Sequence, residues 1–183
     1  MTYYGGKELA AAFRQVRKNT IQVAQDIPEN QYGFKTAPEA RTVAQTLTHI
    51  ALGTDIAHHI HGNKIDDLTK LNFPELMQKM GAEESKPRTK AEIVALLQSH
   101  GEKFASYLEA LPESFLAERV AMPPGAEPSS KTRFEMLLSP KEHEMHHRAQ
   151  LMTMERMIGV VPHLTRQRQE HQEQMARAQS AQR

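Results

Sequence analysis

The chain has 183 residues, no cysteine, and 23 basic against 22 acidic side chains. That length suits one domain with a substantial core, and the balanced charge gives no electrostatic case for nucleic acid or a membrane surface. The missing cysteines exclude disulfides and thiolate ligands, which leaves His, Asp and Glu for any metal. No apolar run approaches the ~18 residues that span a bilayer and the N-terminus has no signal-peptide core, so a cytoplasmic location is expected.

Taken in order, residues 7–27 read as an amphipathic helix. Leu9, Phe13, Val16, Thr20, Val23 and Ile27 recur at steps of four and three, a stripe that faces a core. Pro28 disfavours helical geometry in the residue before it and closes the helix. Residues 28–41, with Pro28, Gly33 and Pro38, form a loop. A second helix starts at Thr42, with Gln45 three residues on as a capping box. Val43, Leu47, Ile50 and Thr54 make its apolar stripe, and His49 lies beside it. Histidine in such a place is more often a hydrogen-bonded packing residue than a ligand, and Gly53, one turn later, leaves room above the ring. His58 falls about 180° and His61 about 120° from His49 round the helix, so neither shares its site. With His59 they read as the solvated end of the helix, which Gly62-Asn63 terminates.

Asn72 and Glu75 open a short helix that ends at Gly81, and residues 81–88 read as linker. Thr89 and Glu92 form a further capping box that starts a third long helix, with Ile93, Leu96, Leu97, Phe104, Leu108 and Leu111 apolar. His100 shares that side without any feature marking it as a ligand. Gly101 weakens the helix by up to ~1 kcal/mol relative to alanine, which packing must offset. Residues 112–131, broken by four prolines and Gly125, form a surface loop with a partly ordered segment over 113–122. Thr132 and Glu135 cap a short lead-in before the next helix. No segment alternates with period two, so the chain reads as all-α, with about four long helices and loops long enough for crossovers.

The stretch from Ser139 to Ile158 carries the chemistry. Ser139, Pro140 and Glu142 spell a helix start, and Pro140 makes either a break or a kink after residues 134–138. At about 100° per residue, His147 lies roughly 40° round from His143 and one turn along, a pair that can grip zinc, nickel, copper or iron(II). Three readings compete: a solvated or packed His-rich face, the H-E-x-x-H zinc-peptidase motif with Glu144 as general base, and a bundle metal site completed from another helix. Nothing downstream matches the extended peptidase motif. Glu144 points about 100° from His143 and pairs with Arg148 or faces another helix. Gln150, on the ligand row, is a candidate to support a ligand imidazole from behind; His146 is a supporting donor, an alternative ligand or an exposed side chain. Beyond Pro162, residues 163–183 hold four arginines and two glutamates and read as an exposed helical extension or a disordered tail, with His163 and His171 solvated. The division expected is a metal-binding domain over 1–162 and a polar extension over 163–183.

Taken together, the stretch Thr42-Val-Ala-Gln-Thr-Leu-Thr-His49-Ile and the stretch His143-Glu-Met-His-His147-Arg-Ala-Gln150-Leu resemble the DinB/YfiT-like superfamily of four-helix metalloproteins. Residues 150–162 resemble its closing segment. The resemblance covers roughly residues 7–162, and Ala149 departs from the glycine many members carry there. It implies a four-helix bundle in which His49, His143 and His147 bind a divalent metal, nickel or zinc, with a position open for water or substrate. A peptidase fold would need a sheet edge, and no strands are read here. Characterised relatives include transferases and isomerases that use low-molecular-weight bacterial thiols. The function implied is therefore a metal-dependent S-transferase acting on a small-molecule substrate, with such a thiol as co-substrate. A metal-dependent hydrolase and a non-catalytic metal-binding stress or interaction protein are the alternatives. A homodimer is expected from the resemblance, and no nucleic-acid or membrane partner.

Overall fold

Helix starts here are set by side chains that satisfy the first free backbone N–H groups. The computed structural model describes residues 4–181. Its order is α1 (Gly6–Asp26), α2 (Val43–Gly62), α3 (Phe73–Glu84), α4 (Lys90–Glu109), α5 (Glu113–Ala117), β1 (Arg119–Ala121), β2 (Ser130–Thr132), α6 (Arg133–Met157) and α7 (His163–Ala181). Thr42, Thr89 and Thr132 each accept a hydrogen bond from the N–H of the residue three further on, and Gln45, Glu92 and Glu135 reach back, as their spacing predicts.

The four long helices α1, α2, α4 and α6 form the bundle. α1 and α2 each pack against both α4 and α6, so the order round the bundle is α1, α4, α2, α6. The consecutive bundle helices α1 and α2 therefore lie on one diagonal and α4 and α6 on the other, and the connection within each pair crosses over the bundle. The whole predicted stripe of α1, from Leu9 to Ile27, is buried. One apolar cluster joins Val23, Ile27, Leu47, Ile50, Ile93, Leu97 and Leu151. A second, further along the bundle, joins Leu9, Phe13, Phe104, Leu108 and Leu137. Phe13 and Phe104 meet there edge to face, 5.1 Å between centroids.

A buried ion pair lies at the level between these clusters. Arg17 and Glu144 are 4% and 2% exposed, and the Arg17 Nε donates to both carboxylate oxygens at 3.0 Å. Nη1 donates to the Leu97 carbonyl at 2.8 Å and Nη2 to that of Ile50 at 3.3 Å, so one guanidinium ties α1 to α6, α4 and α2. Gly101 makes the room: a Cβ there would lie 2.8 Å from the Arg17 Cγ. The propensity lost at Gly101 is offset by this contact. Glu144 thus faces another helix, and Arg148 donates to the Val16 carbonyl instead.

Several expectations are corrected. Strands do occur: β1 and β2 pair antiparallel with Arg119 opposite Thr132, each three residues long and too short to show alternation. Of the two alternatives at Pro140 the break is ruled out: the lead-in capped by Thr132 and the stretch after Ser139 form one helix, α6, which starts at Arg133 and runs through Pro140, because flanking packing offsets the one N–H that proline cannot supply. α3 continues past Gly81 to Glu84, into the supposed linker. His61 is buried, not solvated: Arg133 Nη1 donates to its Nδ1 at 3.3 Å. His58 lies against the Tyr107 ring, whereas His59 is exposed. His163 is also buried, with its Nε2 3.5 Å from the Asn19 Oδ1. The tail as far as it is described is α7, exposed over residues 167–180. Among the described residues, no helix is long and apolar enough to cross a membrane.

Removing the Glu144 carboxylate strands a buried guanidinium charge. Glu144→Ala is expected to cost about 3–5 kcal/mol in urea unfolding; a loss within error of zero would show that the pair contributes nothing. Glu155 supplies a pH-dependent case. It is fully buried and neither carboxylate oxygen has a hydrogen-bond partner. Burial, then the charge of Asp26, pushes its pKa up to about 7. A carboxyl raised above its unfolded value contributes most below the unfolded pKa, and that contribution is lost as pH rises to 7. Glu155→Gln cannot ionise, so it is expected to stabilise the protein more at pH 8 than at pH 5, by about 2–3 kcal/mol. Equal effects at the two pH values would contradict this.

Candidate metal centre

His49 sits on α2 one turn into its apolar stripe, and His143 and His147 sit one turn apart on α6. Because α2 and α6 are neighbours in the bundle, the three rings converge. The Nε2 of His143 lies 2.9 Å from that of His49 and 3.1 Å from that of His147. Among the described residues, these three form the group of His and carboxylate side chains able to share an ion, with ligand atoms within 4.8 Å of one another. His100 is elsewhere, paired with Asp55 at 3.0 Å, and His58, His59 and His61 are outside the group as expected.

The proton positions follow from what stands behind each ring. The Nδ1 of His49 lies 2.5 Å from the Glu84 Oε1, and a carboxylate can only accept, so Nδ1 carries the proton. The Nδ1 of His147 lies 2.8 Å from the Gln150 Oε1 and donates in the same way. In the neutral rings both Nε2 atoms then present lone pairs to one region, and a single proton on His143 can satisfy only one of them. A cation satisfies all three, so the donor set fits a metal. Burial, then the neighbouring histidines His147 and His49, pushes the His143 pKa down to about 4, which keeps it in the neutral form that ligation needs. His147 is also lowered, by burial first.

Glu84 is held in turn by Arg41, whose Nε donates to Oε2 at 3.0 Å. This chain of Arg41, Glu84 and His49 is the carboxylate–histidine arrangement that fixes ligand tautomer and orientation. Glu84 lay in residues read as linker and Arg41 in a loop; no spacing links either to His49, which is 35 residues from Glu84. Gln150 does stand behind a ligand-row imidazole, that of His147. His146 is exposed and accepts from the Gln150 Nε2 at 3.3 Å, outside the convergent group. Glu144, turned into the bundle toward Arg17, cannot serve as a base beside His143. Gly53 opens space for the His143 ring rather than that of His49; a Cβ there would touch the ring at 3.4 Å.

Two cavities meet this cluster. A polar one of about 1090 Å³ is lined by Lys35, Arg41, Gln45, Glu84, His147 and Gln150 among others. An apolar one of about 420 Å³ includes His49 and His143 with Met77, Met80, Met122 and Met136.

If Glu84 orients His49, Glu84→Ala should leave the bundle folded and weaken nickel or zinc binding about 10- to 100-fold in competition with a chromophoric chelator. An unchanged affinity would make the contact incidental.

Residues 12–151 match the model of the DinB superfamily. No curated protein matches the chain. Among solved structures, a DinB-like protein (yjoa) of Bacillus subtilis is 19% identical, with a TM-score of 0.61 over 83% of this chain and 92% of that one. YfiT of Bacillus subtilis, described as a probable metal-dependent hydrolase with an unusual four-helix bundle topology, is 15% identical, with a TM-score of 0.64 over 87% and 91%. An uncharacterised protein of Clostridium difficile 630 is 13% identical, with a TM-score of 0.66 over 86% and 99%. At these identities the structural likeness speaks for the fold. The family match, from within α1 through α2 and α4 to the histidines of α6, speaks for ancestry: the chain belongs to the DinB superfamily.

Proposed function

We propose that this protein is a divalent-metal-dependent enzyme with His49, His143 and His147 as ligands, and that it transfers a group using a low-molecular-weight thiol as co-substrate. One observation carries the metal reading: Glu84 and Gln150 hold the Nδ1 protons of His49 and His147, so their Nε2 lone pairs aim at the region beside His143. Three neutral imidazoles suit zinc or nickel and leave a coordination position for a small molecule. When bound, such a cation supplies a Lewis acid that lowers the pKa of a thiol or of water.

The remaining work belongs to the chain. Glu84 keeps His49 in one tautomer and Arg41 keeps Glu84 in place. Lys35, Arg41, Gln45 and Gln150 give the larger cavity cationic and amide groups, suited to a thiol that carries carboxylate or hydroxyl groups. A second, apolar cavity at the same imidazoles provides for a second organic molecule, and a two-substrate reaction favours transfer over hydrolysis. Hydrolysis is the second reading, favoured by the likeness to YfiT, described as a probable metal-dependent hydrolase; it would use the same centre with water and one organic substrate.

Elemental analysis of untagged protein is expected to find near-stoichiometric nickel or zinc, lost in each of His49→Ala, His143→Ala and His147→Ala. Thiol consumption with an electrophilic acceptor should require the metal. Wild type that purifies free of metal and takes up no added nickel or zinc overturns the centre. A loaded protein that cleaves esters without consuming thiol moves the assignment to hydrolase.

A further inference from the structure

The apolar cavity has a structure of its own. Along α2 it reaches from His49 to His61, twelve residues apart, which at ~1.5 Å per residue spans about 18 Å. Ile56, Ala57 and Ile60 floor it, and Met77, Met80, Met122 and Met136 close round it from α3, the β1–β2 loop and α6. Methionine is the side chain that best adapts to an unbranched or variable apolar shape. At about 420 Å³ the space lies in the range of small-molecule sites.

The far end is not apolar. Arg133 can only donate, so its contact at 3.3 Å makes the His61 Nδ1 an acceptor and puts the proton of the neutral ring on Nε2. Burial, then the charge of Arg133, pushes the His61 pKa down to about 4, so the ring is neutral at physiological pH. Arg133 is itself fixed by Glu118 at 2.8 Å, by the Ile65 carbonyl at 2.9 Å and by the Phe115 ring beneath it. His61 is thus a hydrogen-bond donor of defined tautomer on the cavity wall, and Lys131 lines the same cavity. Glu135, the lining carboxylate, spends its Oε2 on the Thr132 cap at 2.7 and 2.8 Å.

We infer that this cavity binds an elongated aliphatic substrate bearing an oxygen acceptor at one end, with the acceptor held by His61 and the other end delivered to His49 and His143. The proposal rests on the metal-centre reading only for the fate of that second end; binding in the cavity stands apart from it. His61 is a positioning and specificity residue, and the donor at the far end sets the register of the chain against the imidazoles.

The test is a titration of the full chain, carrying ¹³C-methyl methionine, with hexanoate, octanoate and acetate. It is run on the protein as purified and again after chelation. Octanoate should shift the methyl signals of Met80, Met122 and Met136 and leave those of the exposed Met145, Met157 and Met175 in place. Affinity should rise about fourfold per methylene, and chelation should leave this pattern unchanged even if the metal-centre reading fails. Acetate reports any carboxylate binding that does not use the cavity. His61→Phe keeps ring bulk and removes the donor, and should weaken octanoate about tenfold. His61→Gln, which can accept from Arg133 and still donate, should retain most of the affinity. Shifts that do not single out the cavity methionines, or affinity independent of chain length, overturn the cavity assignment. Equal octanoate affinity in His61→Phe and wild type overturns the role of His61. If His61→Phe does not fold, the chain-length series in wild type decides the cavity assignment and His61→Leu decides the role of His61.

Discussion

The bundle depends on the rotation of α6 about its axis, and the Arg17–Glu144 ion pair sets that rotation. Taking both charges out of water carries a large desolvation cost, and the pair holds because the guanidinium also meets two main-chain carbonyls. With Glu144 turned toward α1, the residue before it and the residue three after it, His143 and His147, face α2. There they meet His49. The acid that would serve as a base in an H-E-x-x-H peptidase is here the structural anchor that aims the histidines.

Local chemistry made much of this legible in the sequence. Three threonine caps with Gln or Glu three residues on placed the starts of α2, α4 and α6, because a cap depends only on adjacent residues. The α1 stripe was legible for the same reason. The convergence of His49 with His143 and His147 came from resemblance, since angular position on separate helices does not say which helices become neighbours. Glu84 was missed: it contacts His49 through tertiary packing, and the Gly81 that resembled a helix stop has no such effect inside α3. His61 and His163 looked solvated because their burial comes from Arg133 and from the docking of α7 near Asn19, both distant in sequence. Period-two alternation could not announce β1 and β2, which are three residues each.

Backside partners give the centre its character. His49 meets a carboxylate and His147 a neutral amide, so the two imidazoles are not equivalent electron donors. The carboxylate behind His49 makes it the stronger electron donor of the two towards a bound cation. His143 is set apart by Gly53 at its ring. Three chemically similar side chains thus enter the site with three different environments.

α3 lies outside the four-helix core and packs chiefly on α2. It nonetheless contributes Met77 and Met80 to the apolar cavity and Gly81 and Glu84 to the polar one. One peripheral helix is therefore a shared partition between two chambers, and its last residue steadies an imidazole between them. A small slide of that partition would narrow one chamber, widen the other and loosen His49 in a single movement. The shape of both chambers can thus be altered from the outer face of α3 without repacking the bundle.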